Sequence, residues 1–197
     1  SELIAACRRV FDNVATKRMY ITGGVGSTHI GEAFTIDYDL PNRTAYAETC
    51  AAISLAMFAG RMQAIELDSK YADVVERVIY NGFLSGVSMD GKAFFHENPI
   101  EIDPAFKDVN DSSTLKNRYP ITERKEVFDC SCCPPNVVRF IPSIADYMYT
   151  YDDSTLYIHQ YIDSETVCGD IKITQNTRYP ENGSVKIKCS AGARRIA

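Results

Sequence analysis

A chain of 197 residues with 45% hydrophobic content and a net charge of −5 has material for one large domain, or for one domain and part of another. The acidic balance and the lack of a basic run exclude nucleic acid as a partner. No apolar stretch approaches the roughly 18–20 residues of a membrane span, which excludes a membrane-embedded chain. Ser1-Glu2-Leu3-Ile4 lacks the basic region and apolar block of a signal peptide. Seven cysteines form no disulfide framework, which argues for a reducing, cytoplasmic compartment.

Leu3, Ile4, Cys7, Val10, Phe11 and Val14 recur near a 3.6 period and predict a helix over residues 3–18. It begins at the first residues without a cap in view, as a helix from the middle of a larger array would. Residues 19–46 carry Gly23-Gly24-Val25-Gly26-Ser27, Gly31 and Asp37-Tyr38-Asp39-Leu40-Pro41-Asn42. They read as a long loop, and a loop of that length in a compact domain is usually functional. The clearest helix covers 47–66, with Ile53, Leu55, Ala56, Met57, Ala59, Met62 and Ile65. It is nearly apolar all round and should lie between neighbours.

A further helix is predicted over 68–82, with Asp68 as N-cap and Tyr71, Val74, Val75, Val78 and Ile79 as its stripe. The period then changes. Residues 86–100 read as a hairpin turning at Asp90-Gly91, and 101–125 as polar and irregular. Helix returns over 135–149, with Pro142 as a kink. From about residue 154 the pattern is strand and turn: Thr155–Ile162, Thr166–Gln175, a turn at Asn182-Gly183, then Ser184–Cys189. The chain is thus helical over 1–150 and β-rich over 151–197.

The chemistry concentrates in Cys130-Ser131-Cys132-Cys133-Pro134-Pro135-Asn136, together with Glu48-Thr49-Cys50. Adjacent cysteines do not easily bond each other. Cys50, Cys132 and Cys133 with the Glu48 carboxylate suit a soft, tetrahedral ion such as zinc. Pro134 at a helix start would place the sulfurs at a positive helix end, which favours thiolate. Glu48 and Cys50 stand at i and i+2, which a regular helix points apart. They reach one ion only where the 47–66 helix starts irregularly. Cys7, Cys168 and Cys189 read as small buried apolar residues. A purely structural zinc knot is a second reading, although its usual pair of C-x2-C motifs is absent.

Glu32 lies in the long loop and reads either as a solvated charge or as a proton donor. His29 reads either as a donor to substrate hydroxyls or as a buried structural residue. His96 and His159 fall in strand-like contexts and receive no role. The Gly23-Gly24-Val25-Gly26 run lacks the Gly-Lys-Ser/Thr ending and the strand-loop-helix setting of a phosphate loop. With 12 Tyr, 9 Phe and no Trp, any bound sugar rests on Tyr or Phe.

Four segments together resemble glycoside hydrolase family 127, the β-L-arabinofuranosidase family. They are Met19 to Phe34, Asp37-Tyr38-Asp39-Leu40-Pro41-Asn42, Tyr46-Ala47-Glu48-Thr49-Cys50-Ala51 and Cys130 to Asn136. The resemblance implies a mixed α and β chain: part of an (α/α)6 barrel over residues 1–150, with a hairpin insertion, then the first strands of a β-sandwich over 151–197. It implies a retaining glycosidase that removes terminal β-L-arabinofuranosyl groups from a carbohydrate substrate. Cys132 would be the nucleophile and Glu32 the acid/base. Glu48, Cys50, Cys132 and Cys133 would hold Zn2+, and His29 and Tyr38 would touch substrate. Family members are much longer, so a half-barrel would self-associate as a homo-oligomer or take up a complementing N-terminal half.

Two other classes compete. One is an inactive relative that serves as a zinc-stabilised structural or interaction module. The other is a cysteine hydrolase, which needs a histidine base beside Cys132.

Overall fold

A computed structural model describes residues 1–106, 121–190 and 195–196, so the stretch expected to be irregular over 101–125 lies partly outside the described residues. The chain forms two compact units, Ser1–Phe140 and Ile141–Ala197.

The first unit opens with helix α1 (Glu2–Asn13). Its first residue is capped after all: the Ser1 hydroxyl accepts the Ile4 N–H at 3.5 Å, as small hydroxyl side chains do at N-caps. A wider π-helical turn, Val14–Arg18, continues it. Phe11 is its buried anchor and packs edge-on against Tyr71 and Phe58, with ring centroids 4.6 and 5.6 Å away.

Helix α2 (Thr49–Ile65) buries Ala52, Ile53, Leu55, Ala56, Ala59 and Met62. Its packing matches the all-round apolar sequence. Helix α3 (Ser69–Arg77) is capped by Asp68, whose carboxylate accepts the Lys70 N–H at 3.0 Å. A π-helical turn, Val78–Phe83, follows and is buried at Val78, Ile79, Gly82 and Phe83.

The glycine-rich run packs on this turn. A Cβ on Gly82 would stand 3.1 Å from the Gly23 and Thr22 backbones, and one on Gly23 would stand 3.0 Å from Val78 N. Gly23 also has φ of +83°, a conformation that only glycine adopts without strain. The glycines therefore serve a backbone-to-backbone approach.

The expected hairpin exists in reduced form. Val87 bridges Phe94, Ser88 N–H donates to Ala93 O at 2.8 Å, and the turn lies at Asp90-Gly91 with Gly91 at φ +70°. Phe94 and Lys125 then exchange two backbone hydrogen bonds of 3.0 Å. Helix α4 spans Cys133–Ser143, two residues earlier at its start than the sequence pattern suggested. Proline lacks an N–H for the i−4 bond, and past Pro142 the helix tightens into a 3-10 turn, Ile144–Tyr147. Phe140 of α4 is fully buried edge-on against Phe83, 5.2 Å between centroids.

The second unit holds two three-stranded sheets, ordered β1-β2-β6 and β3-β4-β5. The strands are β1 (Tyr149–Tyr151), β2 (Thr155–Ile158), β3 (Ser164–Cys168), β4 (Ile171–Thr177), β5 (Val185–Cys189) and β6 (Arg195–Ile196). Only the β2–β6 pairing is parallel among the described strands. The single strand expected over Thr166–Gln175 is in fact two. Cys168 pairs with Ile171 across a two-residue turn, with Gly169 at φ +63°, and that tight turn overrides the local β propensity. Leu156, Cys168, Ile171 and Ile173 form the unit's core, with Cys189 packed against it. Cys168 and Cys189 thus behave as small apolar residues, and burial raises both thiols. Among the described residues, no helix is long and apolar enough to cross a membrane.

The loop over residues 19–46 is tied to the end of α1 by Asp37. Its carboxylate accepts from Lys17 Nζ at 2.8 Å, Arg18 Nη2 at 2.5 Å and Asn13 Nδ2 at 3.3 Å. The Lys17 hydrogen bond foremost, then that from Asn13, lowers its pKa below the ordinary 3.8. A lowered folded-state pKa stabilises the fold at pH above the unfolded value and is lost as pH falls through the folded one. Asp37→Asn should therefore lower the melting midpoint at neutral pH, and the two midpoints should converge well below pH 3.8. A gap of equal size at both ends of a pH series of thermal melts would overturn this role.

Candidate active site

Two helix starts build the site. At α2, Ala47 takes φ +40° and Glu48 is extended at φ −60°, ψ 140°. A non-glycine residue at positive φ costs of order 1–3 kcal/mol, and local hydrogen bonds offset it here. Ala47 N–H donates to Gly26 O at 2.9 Å, and Ala47 O accepts from Asn98 Nδ2 at 2.9 Å. Thr49 N–H donates to His96 O at 3.0 Å, and its hydroxyl donates to Phe95 O at 2.7 Å. Glu48 therefore sits outside the helix, one step before its first turn. Its carboxylate and the Cys50 thiol can turn to one point despite the i, i+2 spacing.

At α4, the Cys132 carbonyl accepts the Asn136 N–H at 3.4 Å, and Cys133 is the first helical residue. Pro134 and Pro135 occupy the first turn, where an N–H would lack an intrahelical partner anyway. Upstream, Ser131 Oγ donates to Phe128 O at 3.0 Å, and the Phe128 ring packs on Phe94 at 5.0 Å.

The two starts bring Glu48, Cys50, Cys132 and Cys133 together, with all four donor atoms within 4.8 Å of one another. The sulfurs are 3.6 Å (Cys50 to Cys132), 3.5 Å (Cys50 to Cys133) and 3.8 Å (Cys132 to Cys133) apart. Glu48 Oε1 lies 3.3 Å from the Cys132 sulfur and 3.8 Å from that of Cys133. A four-coordinate ion with metal–sulfur bonds of about 2.3 Å has tetrahedral edges of about 3.8 Å. The spacing suits such an ion, and all the cysteines are free thiols. Glu48 and Cys133 are buried, Cys50 half-buried and Cys132 exposed on a cleft of about 370 Å³ shared with Pro135, Asn136 and Arg139.

The thiols are electrostatically unequal. The hydrogen bond from Cys133 lowers Cys50 to about 7. Burial, then the hydrogen bond to Glu48, pushes Cys132 up to about 12. Its hydrogen bond to Cys50, then burial, raises Cys133 well above the usual thiol range. Cys50 is thus the most acidic of the three thiols.

Sequence reasoning gave His96 no role, yet its Nε2 lies 3.6 Å from both the Cys132 sulfur and Glu48 Oε1. Only 9% of His96 is exposed. It arrives on the return arm of the hairpin through the antiparallel bridge of Glu48 with Glu97. Nothing local to Phe95-His96-Glu97 announces that pairing.

Glu32 is presented on a tight loop closed by the bridge of Thr28 with Ala33, with Gly31 and Glu32 at φ +69° and +50°. Its Oε1 accepts the Tyr46 hydroxyl at 2.9 Å. Burial, then this bond, raises the Tyr46 phenol well above its ordinary range, so it stays a donor. The Tyr46 ring in turn packs edge-on against His96 at 5.9 Å. Glu32 is therefore joined to the thiols through Tyr46 and His96. His29 is half-buried in the same loop, and its carbonyl accepts the Glu32 N–H at 3.3 Å. Tyr38 is 69% exposed, with its ring 5.9 Å from Lys17 Nζ.

The chain is similar to known proteins over nearly its whole length. The profile of the β-L-arabinofuranosidase GH127 catalytic domain matches residues 1–146. A non-reducing end β-L-arabinofuranosidase of Bifidobacterium longum subsp. longum is 39% identical over 194 residues, covering 97% of this chain and 29% of the relative. The crystal structure of a GH127 β-L-arabinofuranosidase from Geobacillus stearothermophilus T6 superposes with a TM-score of 0.84 at 45% identity, covering 95% of this chain and 29% of that one. A second GH127 β-arabinofuranosidase structure gives a TM-score of 0.81 at 40% identity, covering 96% and 28%. The chain thus spans 29% of the length of the curated relative it matches. With a profile match over most of its length and close similarity to these structures, the chain belongs to glycoside hydrolase family 127.

Proposed function

We propose that this chain carries the catalytic centre of a retaining glycosidase that removes terminal β-L-arabinofuranosyl groups. The observation that carries the reading is the convergence of Glu48, Cys50, Cys132 and Cys133 at tetrahedral spacing on an open cleft. Those four residues are the ligands, and zinc is the ion their mixed sulfur and oxygen set fits best. Bound there, zinc keeps the Cys132 sulfur ionised at neutral pH.

In the first step the Cys132 sulfur attacks the anomeric carbon. The C–S bond forms as the glycosidic C–O bond breaks, and Glu32 gives its proton to the departing oxygen. In the second step Glu32 takes a proton from water, the water oxygen bonds to the anomeric carbon, and the C–S bond breaks. Tyr46 holds Glu32 by its 2.9 Å hydrogen bond, while its own raised pKa keeps it from competing for the proton. His29 and Tyr38 are the candidate contacts to sugar hydroxyls.

Residues 1–150 form part of an (α/α)6 catalytic barrel with a hairpin insertion, and 151–197 the first strands of a β-sandwich, with the rest of the barrel supplied from outside these residues. This supply, from a longer chain or a second copy, is supported by near-complete coverage of this chain against 28–29% coverage of its relatives. Seven cysteines without a disulfide framework support a reducing compartment such as the cytoplasm.

A cysteine hydrolase with His96 as base has one observation in its favour, the 3.6 Å contact with Cys132. In such a pair a third group orients the base through the other ring nitrogen. Here Glu48 meets the same Nε2, and two further thiols crowd the sulfur. The set is better suited to an ion than to a catalytic pair. An inactive, zinc-stabilised module remains the alternative that experiment must separate.

Three measurements bear on these readings. At a pH between the Cys50 value of about 7 and the Cys132 value of about 12, zinc loading should displace the protons of Cys132 and Cys133. A pH-stat titration should record about two protons released per ion bound, and release of none would remove the thiolate centre. A sugar epoxide or haloacetamide directed to thiols should label Cys132, read by peptide mass spectrometry, and abolish turnover of an aryl β-L-arabinofuranoside. Glu32→Gln should lower kcat about 10²- to 10⁴-fold while leaving zinc content unchanged. Inactivation with the label on another cysteine would overturn the nucleophile, and unaltered kcat in Glu32→Gln the acid/base.

A further inference from the structure

One cysteine beside the centre has no part in the reaction above. Cys130 is exposed, and its sulfur lies with His96 Nε2 and the Cys132 sulfur in a second group of three donors, all within 4.8 Å of one another. We propose that His96, Cys130 and Cys132 form a second, more open site for a thiophilic divalent cation, sharing the Cys132 sulfur with the four-donor centre.

The donors decide the class of ion. One imidazole and two thiolates select zinc or cadmium over magnesium or calcium, which prefer all-oxygen shells. Three protein donors leave a fourth position for water, the pattern of an exchangeable site. The imidazole is already oriented, because the Tyr46 ring packs against it at 5.9 Å and the Phe128 ring lies 5.9 Å away on a tilted plane. Its Nε2 points at the shared sulfur from 3.6 Å. Cys130 and Cys132 are both exposed, so an ion can enter without opening the core. On binding, Cys130 loses its thiol proton to solvent, and the Cys132 thiolate bridges two cations.

This inference rests on the four-donor centre proposed above and adds a consequence to it. A thiolate sulfur shared by two cations donates electron density to both, which weakens it as a nucleophile toward the anomeric carbon. Occupation of the outer site therefore slows turnover while leaving the inner ion in place, which makes it a site of inhibition by excess soft cation.

The test is an ion count on the full chain, equilibrated with cadmium buffered by a weak chelator and read by elemental analysis. Wild type should hold two cadmium ions per chain, and Cys130→Ser and His96→Gln one each. Cadmium NMR should show two mutually coupled resonances in wild type and one in either variant. Cys130 is exposed, so its serine variant keeps the fold, and His96→Gln gives a second, independent removal of a donor. One ion in wild type and in both variants would overturn the outer site and leave the four-donor centre standing. Two ions in all three proteins would also overturn it, because the second ion would then sit on unrelated thiols. No ion in wild type would remove both.

Discussion

The structure turns on a single awkward requirement, that three sulfurs and a carboxylate be held within 4.8 Å of one another without a disulfide among them. Free thiols and a carboxylate do not gather spontaneously at such distances, since burial of the polar set costs hydration. The surrounding fold enforces it. The strained Ala47, the extended Glu48, the clamp of Thr49 by Phe95 and His96, and the two prolines of α4 all serve to start two helices at one point. Both helices aim their positive ends at the cluster, which favours whatever negative charge it carries.

The second carboxylate is handled in the opposite way. Glu32 stands on an exposed loop with positive φ, joined to the centre through one phenol. Glu48 and Cys133 are buried in the cluster, whereas Glu32 faces solvent. Under the proposed function that exposure lets Glu32 reach both water and a leaving oxygen. The Asp37 network at the end of α1 fixes the base of the loop.

Much of this was legible in the sequence because local rules governed it. The apolar run of α2, the Asp68 cap, the Asp90-Gly91 turn and the apolar roles of Cys168 and Cys189 all follow from period, capping and turn chemistry. The four clustered thiol and carboxylate residues were named from residue type and family resemblance, and their meeting point depended on one non-helical residue that spacing alone flagged as necessary. Long-range pairing was invisible. His96 reaches Cys132 only because a strand arm bridges Glu48 with Glu97, and Tyr46 meets Glu32 across a loop. The packing of the glycine run was equally hidden: rejecting a phosphate loop did not reveal that Gly23 meets the Val78–Phe83 turn. The Thr166–Gln175 segment failed for a simpler reason: two strands of like composition were read as one across a two-residue turn.

The separation of the ligands along the chain has a kinetic side. Cys50 and Cys132 stand 82 residues apart, while Cys130, Cys132 and Cys133 fall within one short stretch. An unfolded chain already presents that stretch as a soft-metal chelate, whereas Glu48 and Cys50 join only once α2 and α4 have docked. A cation captured early is bound to the denatured state and subtracts from the stability that binding lends to the native one. Under the zinc reading proposed above, an ion that arrives after the helices meet closes the long loop as a cross-link instead of holding the chain open.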